Sequence, residues 1–194
     1  MTLDLSSPYR DIWITSDTHY MHKNICRGVT NWRNSEGEIP LEAVRDFESL
    51  EEMNDAIVNN INRVVKEDDW LIHVGDWSFG GFEMIEKFRS LIKCKNIILV
   101  LGNHDHHILN NKGNVKGIFS HVDKEMEIRV GDIILYLQHH PHEIVKDGYM
   151  IHGHIHSKGD KRFGDGKMMD VGICGSPEFR PYHIQEIIYA LHSR

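Results

Sequence analysis

A polar cluster, Asn103-His104-Asp105, follows a very apolar run, residues 97–101, near the middle of the chain. An amide, an imidazole and a carboxylate in succession can bind a metal ion or transfer a proton. Neither a core segment nor an ordinary loop explains why these three side chains follow one another. Because a metal site needs ligands from several segments, the cluster predicts that further ligands follow other apolar runs.

Four other apolar runs end in side chains of the same kind: Asp17/His19, Asp76, His139 or His140, and His154/His156. In extended backbone Asp17 and His19 point to the same side, because they stand two residues apart. Nitrogen and oxygen ligands without cysteine suit Mn, Fe, Zn, Ni or Co. The set is larger than one ion takes, which predicts two ions about 3.5–4 Å apart, bridged by a carboxylate.

Apolar patterns predict the elements that position these side chains. Short runs rich in β-formers predict strands at residues 11–15, 70–74 and 96–101, with helices at 41–65 and 83–92 between them. Alternating strands and helices favour an α/β core with parallel strands. The carboxyl ends of such strands meet at one edge, where ligands gather.

The second half of the chain predicts more β-structure. A β-meander is expected over residues 118–137, followed by strands at 149–152 and 168–173 and a C-terminal helix at 184–191. The glycine-rich, charged segment 158–167 predicts a loop, and its sequence leaves open whether it covers the site.

Size and charge limit the function. The length of 194 residues predicts one domain, spanning residues 1–194. The net charge of -7 argues against broad binding to long nucleic acid, which needs a basic face. The odd number of three cysteines, without CxxC, indicates neither a disulfide framework nor a thiolate zinc site. No apolar run reaches the roughly 18–20 residues of a membrane span, so we expect a cytoplasmic protein without a membrane partner; its oligomeric state stays open.

The gapped order D-x-H, G-D, G-N-H-D, H-x-P and G-H-x-H resembles the calcineurin-like metallophosphoesterases, especially their small microbial and phage phosphodiesterase branch. A later Asp170-Val171-Gly172 looks like a further family element. The resemblance implies an α/β fold, a four-layer αββα sandwich of two mixed β-sheets flanked by helices. It also implies two divalent ions, foremost Mn. One ion would be held by Asp17, His19, Asp76 and His156, and the other by the bridging Asp76 with Asn103, His139 and His154.

The same resemblance implies hydrolysis of a phosphoester by a metal-activated hydroxide. His104 would be the general acid, and Asp105 would orient its surroundings. Family protein phosphatases carry an aspartate and an arginine shortly after Gly-Asp, whereas residues 75–80 read GDWSFG. Phosphodiester hydrolysis is therefore favoured, with phosphomonoester or nucleotide pyrophosphate hydrolysis as the alternative.

A long polar segment, residues 20–40, predicts a functional loop with three candidate substrate contacts: His22, Asn24 and Arg33. Two bound divalent ions would offset part of the negative charge, which favours a small phosphoester or nucleotide-type substrate. Two non-enzymatic alternatives remain: a scaffold that keeps the fold, and histidine-rich metal storage. Complete ligand positions argue against the first, and the mixed Asp/Asn/His set argues against the second.

Overall fold

The computed structural model describes residues 2–4, 11–110, 117–142, 147–163 and 166–193. Within these residues the strands are β1 (Thr2–Asp4), β2 (Ile12–Thr15), β3 (Trp70–Val74), β4 (Asn96–Val100), β5 (His121–Asp123), β6 (Glu125–Val130), β7 (Ile133–Gln138), β8 (Tyr149–His152), β9 (Met168–Asp170) and β10 (Tyr182–His183). The α-helices are α1 (Leu50–Val64), α2 (Phe82–Leu91), α3 (His106–Asn110) and α4 (Ile184–His192).

These strands form two five-stranded mixed sheets. The first has the order β10-β2-β3-β4-β5, in which β2 to β5 are parallel and β10 is antiparallel to β2. The second has the order β1-β6-β7-β8-β9, in which β6 and β7 form an antiparallel hairpin and the other pairs are parallel. The α/β fold with two mixed sheets and flanking helices is thereby confirmed.

Both faces of the first sheet are buried. Leu71 and Leu99 belong to a core cluster with α1 and α2, whereas Ile72 and Val100 face the second sheet. The α1 residues that fill the first cluster recur at helical spacing: Met53, Ile57 and Ile61. Burial of each such side chain contributes about 1.5–3 kcal/mol, so the two clusters hold the sheet rigidly. Helix α4 packs its apolar face into the inter-sheet cluster and contacts β2, β9 and β10.

Several boundaries predicted from the sequence are wrong. The helix predicted from residue 41 begins at Leu50, because the Ser49 side chain caps it by accepting from the Glu52 backbone N–H. Residues 41–43 form a 3₁₀ turn, and Arg45 then pairs with Cys26 in extended conformation. The last predicted strand ends at Asp170.

The predicted β-meander is also wrong in its first part. β5 joins the first sheet, parallel to β4, and only β6 and β7 form a hairpin. An apolar pattern predicts a strand but does not predict which strand it pairs with. Here β5 pairs with the free edge of β4. Three short elements, β1, β10 and α3, were not predicted. No helix of the described part of the chain has the length and apolarity needed to cross a membrane.

The two sheets bring five strand ends to one edge. The loop after β2 is fixed to the loop after β3 by backbone bonds, with the Asp17 N–H donating to Gly75 at 2.9 Å and the His19 N–H to Asp76 at 3.0 Å. In the second sheet, the N–H of Gly153 donates to the His139 carbonyl at 3.1 Å. The loops after β2, β3, β4, β7 and β8 therefore meet.

Candidate metal centre

The backbone at this edge is strained at most of the predicted ligands. Five of them have φ between +48° and +71°: Asp17, His19, Asp76, His154 and His156. The left-handed region costs a non-glycine residue about 1–3 kcal/mol, and such strain persists only where the surrounding fold enforces it. Here the buried strands and the backbone bonds between loops enforce it, and they aim the side chains at one another.

The first cluster consists of Asp17, His19 and His156. His19 Nε2 lies 3.7 Å from Asp17 Oδ1 and 3.2 Å from His156 Nε2. His156 Nε2 lies 3.6 Å from the same carboxylate oxygen. Asp17 and His19 are almost fully buried. Three donor atoms therefore converge on one point, as a metal ion requires.

The second cluster consists of Asp76, Asn103, His139 and His154. His139 Nε2 lies 3.3 Å from Asp76 Oδ2 and 3.0 Å from Asn103 Oδ1. The Nδ1 atom of His154 lies 3.0 Å from the same Asn103 oxygen. His139 is buried at the site, whereas His140 is exposed, with its ring 4.1 Å from that of His154. The structure thus places the histidine that stands two before Pro141 among the donors.

Both carboxylates lie between the two clusters. His19 Nε2 is 3.5 Å from Asp76 Oδ2, and His139 Nε2 is 4.0 Å from Asp17 Oδ1. Asp17 can join either His19 with His156 or Asp76 with His139. The sequence prediction named Asp76 alone as a bridge, whereas the structure gives Asp17 an equally central position.

The donor set fits divalent metal ions in spacing and in shape. Two ligands bound at about 2.1 Å to one ion lie about 3.0–3.4 Å apart, close to the separations within the clusters. Glycines leave room for the ligands: a Cβ at Gly102 would overlap the Asp76 carboxylate, and one at Gly153 would overlap that of Asp17. A Cβ at Gly75 would overlap the His139 ring. These three glycines are thus required by close packing around the ligands.

Hydrogen bonds behind the ligands orient two of the imidazoles. The Nδ1–H of His139 donates to the Val74 carbonyl at 2.8 Å, which leaves the Nε2 lone pair for an ion. His156 Nδ1 lies 3.3 Å from Cys174 Sγ, and its Nε2 likewise faces the cluster. Such outer contacts fix the tautomer and the ring orientation of a metal ligand.

The electrostatics of the centre favour cations. Burial raises the pKa of Asp76, but the hydrogen bond and charge of His139 outweigh it and lower that pKa. Burial lowers the pKa of His139, yet Asp76 and Asp17 raise it to about 9. Burial lowers the pKa of His19 to about 4 despite Asp17, so its imidazole is neutral near pH 7. A ligand imidazole must be neutral, so metal binding would release the proton of His139.

His104 and Asp105 occupy different positions. His104 lines a cavity of about 480 Å³ together with His19 and His156, and its backbone N–H donates to Asp76 Oδ1 at 2.9 Å. Asp105 is buried and accepts three backbone N–H groups: those of Asp76 (2.8 Å), Trp77 (2.9 Å) and Gly102 (2.8 Å). Asp105 therefore clamps the loops after β3 and β4, while His104 faces the cavity.

The three residues predicted to contact substrate lie in different environments. His22 lines the cavity, and its ring stacks on Phe79 with a centroid distance of 3.8 Å. Asn24 lies in the 3₁₀ turn Lys23–Ile25, and its Oδ1 is buried without a partner in the described part of the chain. The exposed Arg33 bends back onto its own loop, donating to the carbonyls of Thr30 at 3.2 Å and Trp32 at 2.6 Å. Of the three, only His22 lies beside the candidate ligands.

Sequence reasoning missed two side chains behind the first cluster, the buried Arg45 and the partly buried Cys174. The Arg45 guanidinium donates to the carbonyls of Asp17 at 2.5 Å and Thr18 at 2.8 Å, and its Nε lies 3.2 Å from Cys174 Sγ. Burial raises the pKa of Cys174, but Arg45 and His156 outweigh it and lower that pKa. Arg45 was predicted to lie on a helix, and no local pattern marks Cys174, so neither had a sequence signal.

Comparison with known proteins identifies the class. The family of calcineurin-like phosphoesterases matches residues 10–167, so the chain belongs to this family of metal-dependent phosphoester hydrolases. An uncharacterized protein of Methanocaldococcus jannaschii is 28% identical over 153 residues, covering 76% of this chain and 70% of that protein.

One solved structure shares the fold, and a second is similar at a lower score. A protein of unknown function from Aquifex aeolicus superposes with a TM-score of 0.66 at 22% identity, covering 93% of this chain and 98% of that one. An archaeal phosphodiesterase superposes with a TM-score of 0.46 at 24% identity, covering 85% of this chain and 86% of that one.

Proposed function

We propose that this protein is a phosphodiesterase that uses two divalent metal ions. The observation that carries the proposal is the pair of overlapping donor clusters at one sheet edge, with Asp17 and Asp76 between them. Asp17, His19, Asp76 and His156 would hold one ion, and Asp76, Asn103, His139 and His154 the other. When bound, two such ions neutralise phosphoryl oxygens and lower the pKa of water near them.

The remaining steps belong to side chains of this chain. His104 would donate a proton to the leaving oxygen, since its ring lines the cavity beside the ligands His19 and His156. The Phe79 ring, 4.8 Å from that of His104, restricts the orientation of the imidazole. Asp105 would act indirectly, by holding the two loops that carry Asp76 and His104.

Two features support a diester as substrate. A diester carries a second substituent on phosphorus, and the cavity of about 480 Å³ next to the ligands offers space for one. The rings next to that of His104 belong to Phe79, His19 and His22 and carry no fixed positive charge for a doubly charged monoester. Arg45 lines the same cavity, but its guanidinium donates to the carbonyls of Asp17 and Thr18. The net charge of -7 supports a small substrate over long nucleic acid.

The proposal is tested by hydrolysis of bis-p-nitrophenyl phosphate with added Mn²⁺. We expect turnover by the wild-type protein, and a loss of about 100-fold or more in kcat for Asp76→Asn and His104→Ala. Matched controls are Asp55→Asn, on the exposed face of α1, and His192→Ala, at the end of α4. Both controls should retain wild-type kcat.

Parallel assays decide between the alternatives. Faster hydrolysis of p-nitrophenyl phosphate or of a nucleoside triphosphate would indicate a monoesterase or a pyrophosphohydrolase. No turnover of any ester with Mn, Fe, Zn, Ni or Co would contradict an enzymatic role and favour a scaffold. Tight binding of more than two ions per chain without hydrolysis would indicate metal storage. Manganese as the native metal, a single domain and a cytoplasmic location stay predictions.

A further inference from the structure

The cavity beside the metal ligands is lined in part by residues that have no role in the proposed hydrolysis. His19, His104 and His156 belong to its lining, and the rest of the lining, here called the wall, includes Ile25, Trp32, Ala43, Val44 and Ile155 with the charged Glu42, Arg45 and Lys158. A phosphoryl group at the donor clusters would therefore direct one of its substituents along this wall. The wall is mostly apolar and aromatic, which selects the chemistry of that substituent.

Trp32 has the properties of a binding platform. Trp32 is 38% exposed, so part of its large aromatic surface is accessible. Its backbone is held on both sides, because its N–H donates to Thr30 Oγ1 at 3.1 Å and its carbonyl accepts from Arg33 at 2.6 Å. The backbone that carries the indole is thus held by two hydrogen bonds, and the indole lines the cavity.

A second ring makes a corner with Trp32. The His22 ring stands at 83° to the indole with a centroid distance of 6.0 Å, and it is fixed by stacking on Phe79. A flat ring lying on the indole would meet the His22 ring with its edge, which is a favourable aromatic arrangement. The corner therefore suits a planar aromatic group better than a flexible polar one.

We propose that this corner binds the base of a nucleoside phosphodiester, stacked on Trp32, with the phosphate at the metal centre. The inference deepens the proposed function and rests on it. The cavity of about 480 Å³ has room for one nucleoside, and ligand cavities of single small molecules span about 300–1,000 Å³. Among the described residues, the basic side chains that line the cavity are Lys158 and Arg45, and Arg45 donates to the carbonyls of Asp17 and Thr18. The cavity therefore lacks the run of basic residues that tracks a polymer backbone.

The test compares two diesters that share a leaving group: the p-nitrophenyl ester of thymidine monophosphate and methyl p-nitrophenyl phosphate. We expect the wild-type protein to prefer the nucleoside ester in kcat/KM. Trp32→Ala should lower the ratio of the two kcat/KM values about fivefold or more, mainly through KM, because base stacking on an aromatic ring is lost. Trp32→Phe should retain most of the ratio, and Tyr189→Ala, an exposed aromatic residue on α4, should leave it unchanged.

Binding separates this inference from the proposed function. Calorimetry with Mn²⁺ should show that thymidine monophosphate binds more tightly than methyl phosphate, and that Trp32→Ala reduces this difference about fivefold or more. Hydrolysis of both esters with the same ratio in wild type and Trp32→Ala would overturn the base-binding corner and leave the phosphodiesterase standing. No hydrolysis of either ester, with the binding difference intact, would overturn the phosphodiesterase and leave the corner standing.

Discussion

Replacement of Asp105 by asparagine tests whether this carboxylate assembles the metal centre. Oδ2 of Asp105 accepts the backbone N–H groups of Asp76 and Gly102, and Oδ1 accepts that of Trp77. An asparagine side chain has one acceptor oxygen, so it can satisfy the first two donors but turns its own NH₂ group toward the third. The change removes little volume, and the expected effect is therefore electrostatic.

The magnitude follows from these three bonds. One buried N–H without an acceptor costs about 1–3 kcal/mol, and the other two bonds lose about 1 kcal/mol each when the acceptor becomes neutral. The free energy of unfolding of the metal-free protein should fall by about 3–5 kcal/mol. For a chain of this length Tm changes by about 2–4 °C per kcal/mol, so a decrease of about 10 °C is expected. The protein should stay folded at 25 °C, since domains are stable by about 5–15 kcal/mol.

The same substitution should weaken metal binding, because the loops that it releases carry Asp76 and Asn103. We expect about 10–100-fold weaker Mn²⁺ affinity by calorimetry, the range seen when outer contacts of ligands are removed. Asp55→Asn is the control, since it makes the same chemical change on an exposed face of α1. A Tm within about 2 °C of wild type would refute the role of the Asp105 carboxylate in holding the two loops together. A lowered Tm with wild-type Mn²⁺ affinity would show that Asp105 supports the fold and not the centre.

Two further predictions concern groups behind the ligands. Burial lowers the pKa of His73 to about 3, whereas histidine in an unfolded chain has a pKa of about 6.5. The unfolded state therefore takes up a proton first as the pH falls. The folded protein loses stability as the pH falls below about 6.5. Urea unfolding of the metal-free protein measures the free energy of unfolding at pH 7 and at pH 5. His73→Gln should make the decrease between these two pH values smaller by about 2 kcal/mol. The same decrease in the variant and in the wild type would contradict this prediction. Cys174→Val removes the sulfur that contacts Arg45 and His156, and Mn²⁺ affinity should fall about 10–100-fold, whereas Cys174→Ser should lose less. Equal affinity of the valine variant and wild type would show that the sulfur does not position His156.

Long apolar runs predicted their elements well. β4 is the clearest case, because residues 97–100 are buried on both faces as a nearly continuous apolar strand requires. α2 and α4 also agree with their predicted spans within a residue or two. Failures lie where local signals are weak. The 41–49 segment has helical spacing, yet the Ser49 cap and the extended Arg45 pairing prevail over it.

The candidate site was predictable as a set of residue types but not as an arrangement. All seven predicted ligands lie within the two clusters, since each follows a strand and strand ends meet at a sheet edge. The position of Asp17 between both clusters depends on distances across loops that no local pattern encodes. Arg33 shows the opposite case, since its guanidinium is used within its own loop.

The sequence by itself determined the family, the order of its strands and helices along most of the chain, and the residues that could bind metal. Each of these depends on apolar runs that are followed by polar residues, and this local pattern is visible in the sequence. Only the tertiary structure decided that β5 pairs with β4, that Arg45 and Cys174 support His156, and that Trp32 forms a wall of the cavity. These contacts join residues far apart in the chain, so they exist only once the two sheets have packed.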